Sequence, residues 1–346
     1  MSAAGMPPRI GYLCSYLPRE FLHALGLLPV RVLPERGIDA SASEAYLPKN
    51  FCALSKAIFA SLLGGNSREL DAVVFLDSCD AMRRLCDVWR RYAETRVLGC
   101  LHLPRRSDTR ASVYYATVLA DFAAECERSF GVPLTAEALA SSFAIYDEQR
   151  HLLRSLDEAR ARGQITALRC HDACRAALTR DPKMANEELA ALIEELQPPA
   201  EERRPRLLLL GSLFQNRELL TLLDEHCALV VAEDDCTGGR QPESPLPASG
   251  TIADMLLALA GHYLGKPPCP RMRDLGRRLA HLRALVAGRL VEGVICSYYK
   301  FCDLALAEFP VLKALARPLL LLEDEGGSEL SGQARTRVEA FLETLQ

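Results

Sequence analysis

The 346-residue sequence contains no CxxC pair, no GxGxxG or GxxxxGK[ST] loop and no HExxH helix, and each absence removes a class of chemistry. Without paired CxxC units a zinc ribbon has no framework. Without a glycine-rich phosphate loop the chain has no seat for a hydrolysable nucleotide, so any ATP hydrolysis falls to another protein. The seven histidines are scattered, which argues against a mononuclear metal or histidine-based catalytic site. The longest apolar runs are strand-sized, and the opening MSAAGMPPR has no apolar core. Neither a membrane span nor a secretory leader is therefore expected, and the protein is expected in the cytoplasm. Basic charge is not in excess either: 41 Lys and Arg face 45 Asp and Glu, for a net charge of -4, which argues against a nucleic-acid partner.

What the chain does have is cysteine. There are 13, an odd number dispersed over predicted strand ends and helices, in a sequence that is 49% hydrophobic and 25% charged. That distribution argues against a disulfide framework and leaves single thiols that only folding could gather. Free cysteine is also among the most buried residue types, so each thiol has a plain reading as a small core residue.

The position of some thiols is informative. Ala72 to Leu76 form a continuous apolar run, the mark of a strand buried on both faces, and Asp77 to Asp80 break it. Met82, Leu85, Cys86 and Trp89 then recur at helical period. Cys79 thus falls between the carboxyl end of a strand and the amino end of a helix, where open α/β sheets bind ligands and a helix dipole lowers a thiol pKa. Similar junctions recur at RLLLLGS, at ALVVAEDDCTGGR with Cys236, and at VEGVICSYYKFCD with Cys296 and Cys302. In EDDCTGGR, Gly238 and Gly239 suggest a tight turn, Arg240 could pair with a carboxylate or phosphate, and Asp234 and Asp235 could be helix caps or site acids.

The strand and helix periods alternate twice. Pro8 to Leu13, a helix opened by Pro18 and Glu20 and stopped at Gly26 to Pro29, and Val30 to Leu33 make a βαβ unit, whose right-handed crossover implies a parallel sheet. Length favours more than one domain. The expected organisation is an N-terminal α/β domain over 1–107, a helical segment over 108–203, and a C-terminal α/β domain over 204–346. The polar stretch Pro198 to Pro205 lies at the second boundary. The fold class is α/β, with two Rossmann-like or flavodoxin-like parallel sheets, and the cleft between them is the default site.

Five segments in this order, CSYLPREFLHALGLLPVRV, FLDSCDAMRRLCDVW, ALVVAEDDCTGGR, YKFCDLALAEFP and GQARTRVEAFLE, resemble the 2-hydroxyacyl-CoA dehydratase and benzoyl-CoA reductase family, which includes the double-cubane-cluster reductases. The resemblance covers roughly residues 8 to 105 and 205 to 346. It implies a four-iron four-sulfur cluster in the cleft, with Cys52 of LPKNFCALSK, Cys79 of SCDAMRR and Cys302 of YKFCD as its ligands. Three thiolates leave one iron of a cubane open. Two cubanes would need about six thiolates, and Cys14, Cys236 and Cys296 near the same edge leave that variant open. Tyr16 and Glu20 of CSYLPRE are the substrate-side candidates, with helix capping as the plain alternative for both.

The implied activity is that of an iron-sulfur subunit of a radical dehydratase or reductase. Its substrate is an acyl-CoA thioester or another small molecule that is hard to reduce. The implied partners are a paralogous subunit or a second copy in a dimer, and an ATP-hydrolysing iron-sulfur activator. A non-catalytic electron-relay or assembly subunit paired with a longer paralogue is the alternative. A Rossmann-like binding protein with structural cysteines and no iron is a third reading.

Overall fold

The computed structural model describes residues 6–35, 37–65, 69–199, 203–315, 318–326 and 329–345. Residues 200–202 of the polar boundary stretch fall outside that set. Two four-stranded sheets frame the chain. The first takes β1 (Arg9–Tyr12), β2 (Leu28–Arg31), β3 (Ala72–Leu76) and β4 (Val97–Leu101) in the order β2-β1-β3-β4. The second takes β5 (Arg206–Gly211), β6 (Leu229–Asp234), β7 (Gly293–Tyr299) and β8 (Leu319–Asp324) in the equivalent order β6-β5-β7-β8. Every pairing is parallel. The α/β class read from the sequence is therefore present twice.

Central strands are largely apolar because helices cover both faces. All five residues of β3 and all seven of β7 are buried, and each large apolar side chain so placed contributes about 1.5–3 kcal/mol. The edge strand β2 admits Pro29, whose missing N–H a central strand would not tolerate. It also begins at Leu28, earlier than the sequence suggests, because Gly26 at φ +69 ends the preceding helix α1 (Arg19–Ala24) at once.

The order 2-1-3-4 reverses the winding direction between β1 and β3, and the order 6-5-7-8 does so between β5 and β7. At such a point the loops leaving adjacent strands diverge, and a crevice opens at the carboxyl edge. The residues after β1, β3, β5 and β7 are Leu13-Cys14, Asp77 to Cys79, Ser212 and Lys300 to Cys302.

The two sheets are joined by packing on both sides. One core contains Phe75, Leu85 and Trp89 of the first half together with Leu208, Leu210 and Tyr298 of the second. Its helices are α2 (Ala53–Leu63) and α3 (Asp80–Tyr92), with α10 (Leu275–Gly288) and α11 (Asp303–Leu315) from the second half. The helical middle comprises α4 (Thr109–Phe130), α5 (Ala136–Ala161), α6 (Ala167–Thr179) and α7 (Pro182–Glu194). Of these, α4 packs on α9 (Ile252–Gly265), α5 on α1 and β6, and α6 on α8 (Arg217–Glu225) and β2. Helix α9 follows the second sheet's β6 in the chain, yet its Met255, Leu256, Leu259 and Tyr263 belong to the core beneath the first sheet. The last helix, α12 (Gly332–Glu343), closes the outer face of the second sheet through Val338, Phe341 and Leu342.

Candidate functional site

Cys52, Cys79 and Cys302 stand at equivalent local positions. Cys52 is the N-cap of α2 and Cys79 the N-cap of α3. Cys302 immediately precedes α11 and accepts at its carbonyl from Ala305 N and Leu306 N, both at 3.0 Å. Each thiol therefore sits where unpaired N–H groups and a helix dipole favour negative charge. The turn before Cys302 is held in an uncommon shape, with Phe301 at φ 62, a left-handed conformation that a bulky side chain rarely adopts.

The fold brings Cys52 to Cys302 directly. Ala53 N donates to Lys300 O at 3.0 Å, a backbone bond from the first half of the chain to the second. Gly326 seals the junction from β8's side: it takes φ +91, and a Cβ there would lie 2.8 Å from Ala53 O. The two thiols then share a hydrogen bond. That bond lowers the Cys302 thiol, and the Arg271 guanidinium lowers it further against the cost of burial, to about 6. Cys52, the donor, is raised.

Arg271 is the shared neighbour. Its Nη2 approaches Cys302 Sγ at 3.6 Å, and it interacts electrostatically with Cys79, Cys302, Cys269 and Cys236. The three cysteines that the resemblance picked out thus lie around one half-buried cation, at 6%, 8% and 6% exposure for Cys52, Cys79 and Cys302. Neither Arg271 nor Cys269 was singled out by the sequence. Both lie in the connection between α9 and α10, a segment without periodicity. Its one local signal is the mixture of cations and cysteine in KPPCPRMR.

Tyr16 reaches the same region and Glu20 does not. The Tyr16 hydroxyl accepts from Cys269 N at 3.4 Å, and Lys266 Nζ lies 4.1 Å from the ring centroid. Burial pushes the Tyr16 phenol well up. Glu20, on α1, is completely buried at the crossing of α1, α5 and α9. It is ion-paired to Arg150 and accepts from Tyr263 Oη at 2.5 Å. These partners outweigh burial and hold its carboxyl at about 2.

The other candidates divide similarly. Asp234 pairs with Arg240 Nη2 at 2.9 Å and Arg278 Nη1 at 2.8 Å, and Arg278 is paired in turn with Glu308. Asp235 closes the following turn, its Oδ1 accepting from Gly238 N and Gly239 N at 3.0 Å. Gly239 is needed there, since a Cβ would stand 2.2 Å from Glu233 O. Cys236 receives a bond from Arg240 Nη1 at 3.3 Å, which with Arg31 lowers its thiol against burial. Cys14 lies near Cys236 and Cys269, and burial raises it. Cys296 is inside β7, beside Arg278 and Glu308 rather than at the cleft.

Twin parallel sheets with thiols at the N-termini of helices from both halves define an α/β protein of two Rossmann-like units. The chain belongs to the family described as 2-hydroxyglutaryl-CoA dehydratase, D-component, which it matches over residues 14–345. It is 24% identical over 348 residues to the (R)-phenyllactyl-CoA dehydratase beta subunit of Clostridium sporogenes, covering 97% of this chain and 91% of that one. It is 25% identical over 351 residues to the lactoyl-CoA dehydratase subunit beta of Anaerotignum propionicum, with the same coverage. Against a benzoyl-CoA reductase subunit of Thauera aromatica it is 23% identical over 319 residues, covering 88% and 81%. The family is thus one of lyases and oxidoreductases, and each of these relatives is named as one subunit of its enzyme.

Proposed function

We propose that the chain is an iron-sulfur subunit of a dehydratase or reductase acting on an acyl-CoA-type substrate, with Cys52, Cys79 and Cys302 as cluster ligands. The observation that carries this reading is the arrival of three buried thiols, from α2, α3 and the α11 turn, around Arg271. The donor set fits such a group. It is all thiol, it is dry, and a fixed cation offsets the charge that thiolates bring. Among the described residues no group of three or more His, Cys, Asp and Glu side chains is disposed around a single ion. A cluster makes a different demand, because each thiolate binds a different iron and the donors need not close on one point.

When bound, the cluster supplies one-electron chemistry at low potential. The chain's own residues set the conditions. Burial of the three thiols excludes water, and the N-termini of α2, α3 and α11 stabilise them as thiolates. Arg271 would hold Cys302 by its Nη2 contact and favour charge on Cys79, while Tyr16 braces the neighbouring backbone at Cys269. The electron comes from a separate ATP-hydrolysing activator in this proposal, since the sequence has no phosphate loop of its own. A partner protein is part of it too, as the relatives are named as subunits. The beta designation of two of them also favours a second reading, in which this chain relays the electron and a paralogue holds the substrate.

Iron and acid-labile sulfide per chain, measured on anaerobically prepared protein, test the proposal. About four of each, lost in Cys52→Ala, Cys79→Ala and Cys302→Ala, is the expected result, and about eight would indicate a double cubane. No iron after reconstitution would overturn it. Turnover by the isolated chain with its activator separates the catalytic reading from the relay reading.

A further inference from the structure

A small recess of about 20 Å³, lined by none of the three thiols, lies between the ends of β1 and β2 and the turn that follows β6. Its volume suits one water-sized occupant. Arg19, Arg31, Arg240 and Lys266 all border it, and among the described residues no carboxylate does. All four cations are buried, at 7% exposure or less.

Two of the four are settled. Arg240 is paired with Asp234, and Arg19 donates to Ala177 O at 2.9 Å with its guanidinium 5.0 Å from the Tyr146 ring centroid. The other two are not. Lys266 has neutral partners, Ser15 O at 2.6 Å, Ser15 Oγ at 3.1 Å and the Tyr16 ring. Arg31, 4% exposed, has an Nε and an Nη1 without a hydrogen-bond partner among the described residues, and its neighbour is the face of the Tyr12 ring, centroid at 5.3 Å. The most acidic group on the wall is the Cys236 thiol, already engaged by Arg240. Buried cations with unfilled donors around a small void are costly unless an anion fills it.

We propose that this space is a binding site for one small monovalent anion, held by Arg31 and Lys266. Its size admits a halide or one oxygen of a carboxylate and excludes sulfate and phosphate as whole ions. Either source supplies the same chemistry. A free halide would sit alone, whereas a carboxylate could belong to an organic molecule whose body occupies the adjoining pocket of about 650 Å³, because Lys266 lines both spaces.

Bromide is the probe. Crystals of the full chain soaked in bromide should give an anomalous peak between Arg31 and Lys266. In solution, replacing sodium isethionate by sodium bromide at constant ionic strength should raise the unfolding midpoint saturably. Arg31→Met and Lys266→Met should each weaken that response at least tenfold. Formate or acetate displacing bromide would identify a carboxylate as a natural occupant, and failure of both would identify a halide site. A bromide response that does not saturate, or that persists unchanged in Arg31→Met, would overturn the proposal. Should the variants fail to fold, the wild-type crystal decides: no peak at Arg31 sinks it. None of these readouts depends on iron content, so the cluster assignment stands or falls separately.

Discussion

The Glu20 node, wholly buried, and the Arg271 site, a half-buried cation among buried thiols, are both charged, and they differ in how their charges are matched. Around the Glu20 carboxylate the match is complete: Arg150 supplies the opposite charge and Tyr263 the second hydrogen bond. Around Arg271 it is not, since one guanidinium faces several thiols from different parts of the chain. A matched buried cluster ties helices together. A mismatched one is where a ligand belongs. Proximity in sequence is a poor guide to which is which, since Tyr16 and Glu20 lie on successive turns of one segment and end in different regions.

Substitutions should separate the two regions by what they damage. The largest effect is expected at Glu20→Gln, which leaves Arg150 without its full counter-charge and should cost about 3–5 kcal/mol in stability, measured by denaturant unfolding. Iron binding should persist in whatever fraction remains folded. The same carboxyl predicts an acid limit. Its folded pKa of about 2 lies below the unfolded value of 4.5, so its contribution is complete above the unfolded value and is lost as pH falls toward the folded one. That contribution is about 3 kcal/mol, and an unfolding titration from pH 5 to pH 2 in wild type and Glu20→Gln should show the two curves converging.

A smaller effect, on reactivity and not on stability, is expected at Arg271→Met. Without the guanidinium the Cys302 thiol should rise, and its alkylation at pH 7 in iron-free protein should slow roughly tenfold, read by peptide mapping after iodoacetamide. An unchanged rate would show that the hydrogen bond from Cys52 suffices. Smallest of all should be Tyr16→Phe, which removes one long hydrogen bond to Cys269 N and should cost no more than about 1 kcal/mol. A large loss of turnover with stability intact would instead give the phenol a part in the chemistry.

Much of the frame could be read from local pattern. The apolar runs at Ala72 to Leu76 and Gly293 to Tyr299 announce buried parallel strands, and a cysteine just past such a run is already at the ligand edge. That is why Cys79 and Cys302 were legible. Cys52 was not legible by pattern, because its place depends on Ala53 meeting Lys300 across the two halves, and only the family resemblance pointed to it. Arg271, Cys269 and Lys266 escaped because they lie in an aperiodic connection. Their position follows from α9 folding back beneath the first sheet, a tertiary event with no local signature. Glu20 was visible as a helix-opening acid, but its partners Arg150 and Tyr263 are distant in sequence, so its structural role could not be inferred from its neighbours.

The backbone bond from Ala53 to Lys300 also fixes an order of events in the life of the chain. Cys52 and Cys79 emerge in synthesis well before the turn bearing Cys302 and the Gly326 loop that clamps it. Until then the early thiols have no third companion. The site is therefore completed only once the second sheet has been made through β8, and a chain truncated before β8 would carry all three thiols and Arg271 but lack the Gly326 contact that packs against Ala53.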